Sequence, residues 1–190
     1  MNTREHGELI ELLGRAPRMA LDALRATGLV TLPAFSAIRV EPDDLRELVP
    51  PARNVDVVLL LDDDGTTVFA LLIEVQSGLD PAKVFTWPFH QSAVRARFRC
   101  PACLMVLALS DEVATWARQP IATGQPGVPF VPLVVTGAQF PRVTDADEAR
   151  REPYAAILAT LLHGQEVGAG HLAVAAAAGA ETLPTDERDM

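Results

Sequence analysis

The chain has 190 residues, 49% of them hydrophobic, which suits one domain with a sizeable core. Its net charge of -9, from 25 acidic against 16 basic residues, argues against broad non-specific adhesion to DNA, which rests on neutralising phosphates, although a local basic groove is compatible with that total. No apolar run reaches the roughly 18 residues needed to span a bilayer, and "MNTREHGELIELLG" carries acids where a signal peptide has a basic start and an apolar centre; the expectation is a cytoplasmic protein with no membrane partner.

In chain order, "REHGELIELLGRAP" places Leu9, Ile10, Leu12 and Leu13 at helical spacing, and "PRMALDALRATG" continues with Met19, Leu21 and Leu24 before Gly28. Two helices broken between Gly14 and Pro17 follow from this. "FSAIRV" predicts a short strand, and "PDDLRELV" one or two helical turns begun by Pro42 and Asp43. "VDVVLLL", "DDDG" and "TTVFALLIEVQ" then read as strand, turn and strand, since Asp and Gly supply turn conformations. "DPAKVFTWPFHQSAVRARFR" opens a helix with Asp80 as N-cap and Pro81 at its first position, and Pro88 should kink or interrupt it. "CLMVLAL" is the next strand, "SDEVATWARQP" a helix capped by Ser110, and "VPFVPLVV" a strand whose prolines favour a sheet edge. Such an edge offers a surface for a homodimer.

From Asp145 the character becomes helical. "DADEARREPYAAILATLLHG" divides at Pro153, "AGHLAVAAAAGAE" adds a helix, and "TLPTDERDM" reads as a frayed tail. The expected organisation is a mixed α/β core over 1–144, a helical extension over 145–180 and a tail over 181–190.

Cys100 and Cys103 form "CPAC". Redox sites of that spacing sit at a helix N-terminus, which lowers the thiol pKa, whereas this pair runs into the strand "LMVLAL". Two cysteines are also only half of a structural zinc site. They read as plain buried thiols.

Two carboxylates stand where the hairpin pattern asks for hydrophobes: Asp56 and Glu74. Glu74 and Gln76 share one strand face, Ile73 and Val75 the other. Folding near Gly65 brings Asp56 opposite Glu74 to within a couple of residues, a spacing at which like charges repel. A divalent cation such as Mg²⁺, which takes oxygen ligands and needs only one or two carboxylates, resolves the conflict. The alternatives are solvated strand ends, or pairing with an arginine such as Arg53 or Arg95.

An Asp near the start of one strand, a turn, then "LLIEVQS" closing the next strand, followed by a helix and a strand, resembles the PD-(D/E)XK nuclease superfamily over about residues 53–109. It is most similar to the branch of recombination-promoting nucleases and transposase-like proteins. The resemblance implies a restriction-endonuclease-like core, with a central mixed sheet flanked by helices, and Mg²⁺- or Mn²⁺-dependent hydrolysis of DNA. It implies that Asp56 and Glu74 bind the metal together with the Val75 carbonyl. Gln76 stands where the family has lysine, and an amide orients water without donating a proton as an ammonium does. In some members that lysine has moved to the following helix, where this chain has Lys83, its only lysine. The family's optional acid on the first helix falls to Glu8 or Glu11; His6, on the stripe of Leu9, Ile10 and Leu13, reads as a core histidine rather than a ligand.

Arg95, Arg97 and Arg99, with Lys83 and His90, give the helix after the motif a basic character, either for phosphates or as a solvated face. Phe85, Trp87 and Phe89 suit base stacking or, more simply, core packing. The reading is a metal-dependent DNA endonuclease with Asp56, Glu74, Gln76 and Lys83 as catalytic residues. Its competitors are an inactive nuclease-fold module that binds or regulates, and, more remotely, a thiol-redox protein.

Overall fold

The computed structural model describes residues 3–41, 55–164, 166 and 168–184. The turns expected in "PDDLRELV" and the tail beyond residue 184 lie outside the described residues. The chain divides into two compact units: Met1–Ala23 with Gly137–Met190, and Leu24–Thr136. Helix α1 spans Thr3–Arg15 and α2 Pro17–Ala26, separated at Ala16 beside Pro17, whose ring is tolerated only in a helix's first turn. No helix among the described residues is long and apolar enough to cross a membrane.

The second unit is α/β. Its strands are β1 (Ala37–Glu41), β2 (Val57–Asp63), β3 (Thr66–Gln76), β4 (Ala102–Ala108) and β5 (Leu133–Val135); α3 (Lys83–Phe98) joins β3 to β4, and α4 (Asp111–Ala117) joins β4 towards β5. They form one five-stranded mixed sheet in the order β1-β2-β3-β4-β5, antiparallel across β1, β2 and β3 and parallel across β3, β4 and β5. Alternation along the strands sends Val58, Leu60, Ala70, Leu72, Leu104 and Val106 to one face, where they pack with Trp87 and Val94 of α3 and Ala117 of α4. Leu59, Leu61, Leu71 and Ile73, on the opposite face, are also fully buried.

The hairpin turn is tighter than the four residues expected. Asp64 and Gly65 both adopt positive φ, 45° and 75°, which is what a two-residue turn matched to strand twist demands. Asp62 and Asp63 therefore join β2. At the other end, Val55 and Asp56 fall outside the strand, because the Asp56 carboxylate takes a β3 backbone N–H. Helix α3 starts at Lys83, later than the sequence suggests. Asp80 still directs the chain into it: its Oδ1 accepts the Ala82 N–H at 2.9 Å and its carbonyl the Lys83 N–H at 3.0 Å. The interruption expected at Pro88 does not occur. A proline deletes one helical hydrogen bond, but Trp87 and His90, buried on either side of it, hold the helix to the sheet unit. Ser110 caps α4 as expected, accepting the Val113 N–H. The strand expected over "VPFVPLVV" shrinks to Leu133–Val135 at the sheet edge. Pro129 and Pro132 have no N–H to give a ladder, and upstream only a bridge between Ile121 and Phe130 forms.

The first unit is helical: α1 packs on α6 (Pro153–His163), and α5 (Ala146–Arg151), α6 and α7 (Gly170–Ala180) pack on one another. Asp145 caps α5 by accepting the Asp147 and Glu148 N–H groups. Small side chains (Ala149, Ala155, Ala156, Ala159 and Ala175) with Leu172 fill the contact, so the backbones approach closely. Gly179 is the tightest point: a Cβ there would lie 2.7 Å from the Ala149 carbonyl oxygen. Gly179→Val is expected to cost about 2–3 kcal/mol through overpacking. By contrast Gly170→Ala, whose Cβ meets no described heavy atom within 4 Å, should be neutral or stabilising. Thermal melts of the two variants check this; equal Tm values would contradict it.

Candidate functional site

The placement of the two carboxylates begins with one irregularity. From the turn, Asp63 pairs with Thr66 and Asp62 with Thr67. The register then shifts, so that Leu61 pairs with Phe69 and Val68 is the extra residue of a β-bulge. Residues directly across an antiparallel pair share a face. Unshifted pairing would set Asp56 level with Ile73, on the face opposite Glu74. With the bulge the ladder runs to Val57–Ile73, which sets Asp56, one residue before the strand, beside the Glu74–Val75 end of β3, where its Oδ2 accepts the Val75 N–H. Asp62 fastens this irregularity: Arg39 Nε donates to its Oδ2 at 3.0 Å and the Thr67 hydroxyl to its Oδ1 at 2.7 Å. The Arg39 hydrogen bond, then that of Thr67, lowers the Asp62 pKa below its ordinary value. The stabilisation is thus present above the unfolded-state pKa and is lost as pH falls through the folded one.

Glu74 is the buried centre of the site, with 1% of its surface exposed. Lys83, in the first turn of α3, donates from Nζ to Glu74 Oε2 at 2.6 Å. His90 lies two turns further along the same helix, its Nδ1 3.5 Å from Oε1. The inward stripe of α3 therefore runs Lys83, Thr86, Trp87, His90, Val94, the i, i+3, i+4 rhythm of a helix facing a sheet. An ionised carboxylate this deep is costly without a counter-charge, and Lys83 supplies it. Asp56 is half-buried, and its Oδ2 accepts the Val75 N–H at 2.7 Å. Gln76 donates from Nε2 to the Gly78 carbonyl at 2.6 Å, closing the turn after β3.

Among the described residues, the buried side-chain atoms without a hydrogen-bond partner are Glu74 Oε1, Thr86 Oγ1, Trp87 Nε1 and both ring nitrogens of His90. They belong to β3 and the facing stripe of α3. Buried polar groups are normally satisfied, so their occurrence along β3 and the inward stripe of α3 marks this boundary as the chemically unfinished part of the sheet unit. No three His, Cys, Asp or Glu side chains converge as a ready-made metal cage among the described residues. Magnesium asks for less, one or two carboxylates with water completing its shell. Asp56, the orphaned oxygen of Glu74 and the Val75 carbonyl fit that minimal set.

No family model, curated protein or solved structure matches the chain.

Arg95, Arg97 and Arg99 are exposed at and just beyond the end of α3. Arg95 follows Lys83 by twelve residues, about 18 Å along the helix axis, so the helix does not bring these guanidiniums to Glu74. The Arg97 guanidinium lies 5.3 Å from the Phe98 ring centroid. Trp87 is core, tilted against Trp116 with centroids 5.3 Å apart, whereas Phe85 and Phe89 are exposed. Glu11 is exposed and bonds Arg15, and Glu8 and His6 are half-buried; all three belong to the helical unit, Asp56 and Glu74 to the sheet unit. Cys100 and Cys103 are free thiols, and burial pushes the Cys103 pKa up to about 11. That is opposite to what thiol-redox chemistry needs.

The approach of His90 to Glu74 is the feature of this site that the sequence reading missed. His90 appeared there only as part of a basic helix. Its spacing of seven from Lys83, two helical turns, was the available signal.

Proposed function

We propose that the sheet unit is a divalent-metal-dependent nuclease of the PD-(D/E)XK type, acting on DNA. The observation that carries this reading is the contact of Lys83, the chain's only lysine, with Glu74 nine residues earlier, across the strand end and the loop. A lysine recruited to a buried carboxylate, with a second acid bonded to the neighbouring Val75 N–H, is the charge arrangement such hydrolysis uses. Asp56 and Glu74 would hold Mg²⁺ or Mn²⁺ with the Val75 carbonyl. When bound, the metal polarises a phosphoryl oxygen and lowers the pKa of an attacking water. Lys83 places an ammonium at the partly exposed edge of Glu74, where it can stabilise developing phosphate charge and carry a proton. Gln76 has an uncharged amide, and its bond to the Gly78 carbonyl keeps it as an orienting group at the strand end. Exposed Arg95, Arg97 and Arg99 offer phosphate contacts further along α3.

One observation favours a second reading, an inactive nuclease-fold module: Lys83 already neutralises the carboxylate that would bind the metal. The two readings separate on incubation of plasmid and single-stranded DNA with Mg²⁺ or Mn²⁺. The nuclease reading expects cleavage that stops with EDTA and falls at least a hundredfold in Asp56→Ala. Cleavage that survives both changes rejects the site; no cleavage, with no rise in Tm on adding metal, supports the module.

A further inference from the structure

We propose that His90 is the positioning residue of the Glu74 carboxylate, holding Oε1 through an Nδ1–H while Lys83 holds Oε2; this rests on the metal-nuclease reading. The His90 and Glu74 side chains are 2% and 1% exposed, so bulk water reaches neither. Their 3.5 Å separation exceeds the roughly 2.7–3.2 Å of an N–H···O hydrogen bond. It is also too short for a bridging water, which needs about 4.5–5 Å between the atoms it joins. Closing the gap by a few tenths of an ångström gives Oε1 its missing donor, and among the described residues that oxygen has no hydrogen-bond partner.

The tautomer follows from electrostatics. A neutral imidazole carries one N–H and one lone pair. An Nε2–H tautomer would aim the Nδ1 lone pair at a carboxylate lone pair, which is repulsive. The Nδ1–H tautomer instead offers a charge-assisted bond. Nε2 has no hydrogen-bond partner to pull the proton the other way.

Glu74 is then gripped at both oxygens by one helix, from residues two turns apart. That grip fixes the carboxylate's rotation about its last bond and so directs its remaining lone pairs. Groups that orient a ligand without touching the metal typically change metal affinity 10–100-fold when removed.

The experiment measures Mn²⁺ affinity by electron paramagnetic resonance in the full chain and in Glu74→Ala, His90→Leu and His90→Asn, with Tm alongside. Wild type should bind and Glu74→Ala should not. His90→Leu should weaken binding about 10–100-fold, and His90→Asn, whose amide nitrogen falls near the place of Nδ1, should recover most of it. Nitrogen NMR of the metal-free wild type, which needs no variant to fold, should show the Nδ1–H tautomer. The proposal is overturned by wild-type affinity in His90→Leu, by an Nε2–H tautomer, or by ¹⁴N coupling that puts the imidazole directly on Mn²⁺. Equal binding by wild type and Glu74→Ala would overturn the metal reading, and this proposal with it.

Discussion

Glu74→Gln is expected to reduce metal-dependent cleavage of DNA by about a thousandfold or more while leaving the fold intact. Glutamine keeps the shape of glutamate, so the packing around a side chain that is 1% exposed is preserved. Its amide oxygen still accepts a hydrogen bond from Lys83 Nζ, now at 2.6 Å from Oε2. What disappears is the negative charge, which a hard, reluctantly dehydrated cation requires. A Lewis-acid contribution of several kcal/mol goes with it, and each 1.36 kcal/mol is about tenfold in rate. The stability cost should be near 1 kcal/mol, because the Lys83 side chain is 21% exposed and its ammonium can turn to water. Single-turnover cleavage, and Tm with and without Mg²⁺, check both halves. Retained cleavage, or an undiminished Tm rise with metal, would remove Glu74 from the site.

Much of this arrangement was legible locally. The apolar runs on either side of Asp64–Gly65 announce a hairpin, and two carboxylates interrupting those runs announce a conflict that something must resolve. The bulge at Val68 was not legible. "TTVF" contains no glycine or proline to flag it, and the register that brings Asp56 beside the Glu74 end of β3 was reached only to within a couple of residues. A one-residue slip reverses every side chain of a strand, so that margin left the facing of the strand residues open. The reach of Lys83 to Glu74 depends on the loop "SGLDPA" and on the phase in which α3 starts, both set by tertiary packing. Pro88 was expected to kink or interrupt the helix; no interruption occurs, and Trp87 and His90 beside it are buried. The grouping of α1 with α6 and α7 joins residues at opposite ends of the chain, which no local periodicity expresses.

Lys83→Ala should be the most informative substitution, because stability, metal response and chemistry move together in a way no surface lysine would produce. Removing the ammonium leaves Glu74 buried with, among the described residues, the distant Nδ1 of His90 near its other oxygen. Breaking a fully buried pair costs about 3–5 kcal/mol; with Lys83 one-fifth exposed, about 2–3 kcal/mol is expected, a fall in Tm of roughly 4–12 °C for a chain of this size. A cation that binds Glu74 restores the lost counter-charge, so Mg²⁺ or Mn²⁺ should raise the Tm of Lys83→Ala more than that of wild type. Cleavage should nevertheless fall about 10²–10⁴-fold, the span of a proton-transfer group, because the metal replaces the lysine's charge on Glu74 but not its proton. The double variant Lys83→Ala, Glu74→Gln should be more stable than the sum of the single effects, since glutamine needs no counter-charge. Strict additivity in thermal or urea melts, or a metal response equal to that of wild type, would mean that the 2.6 Å contact does not couple the two residues. The lysine would then be one more solvated side chain, and the hydrolytic reading would lose the observation on which it stands.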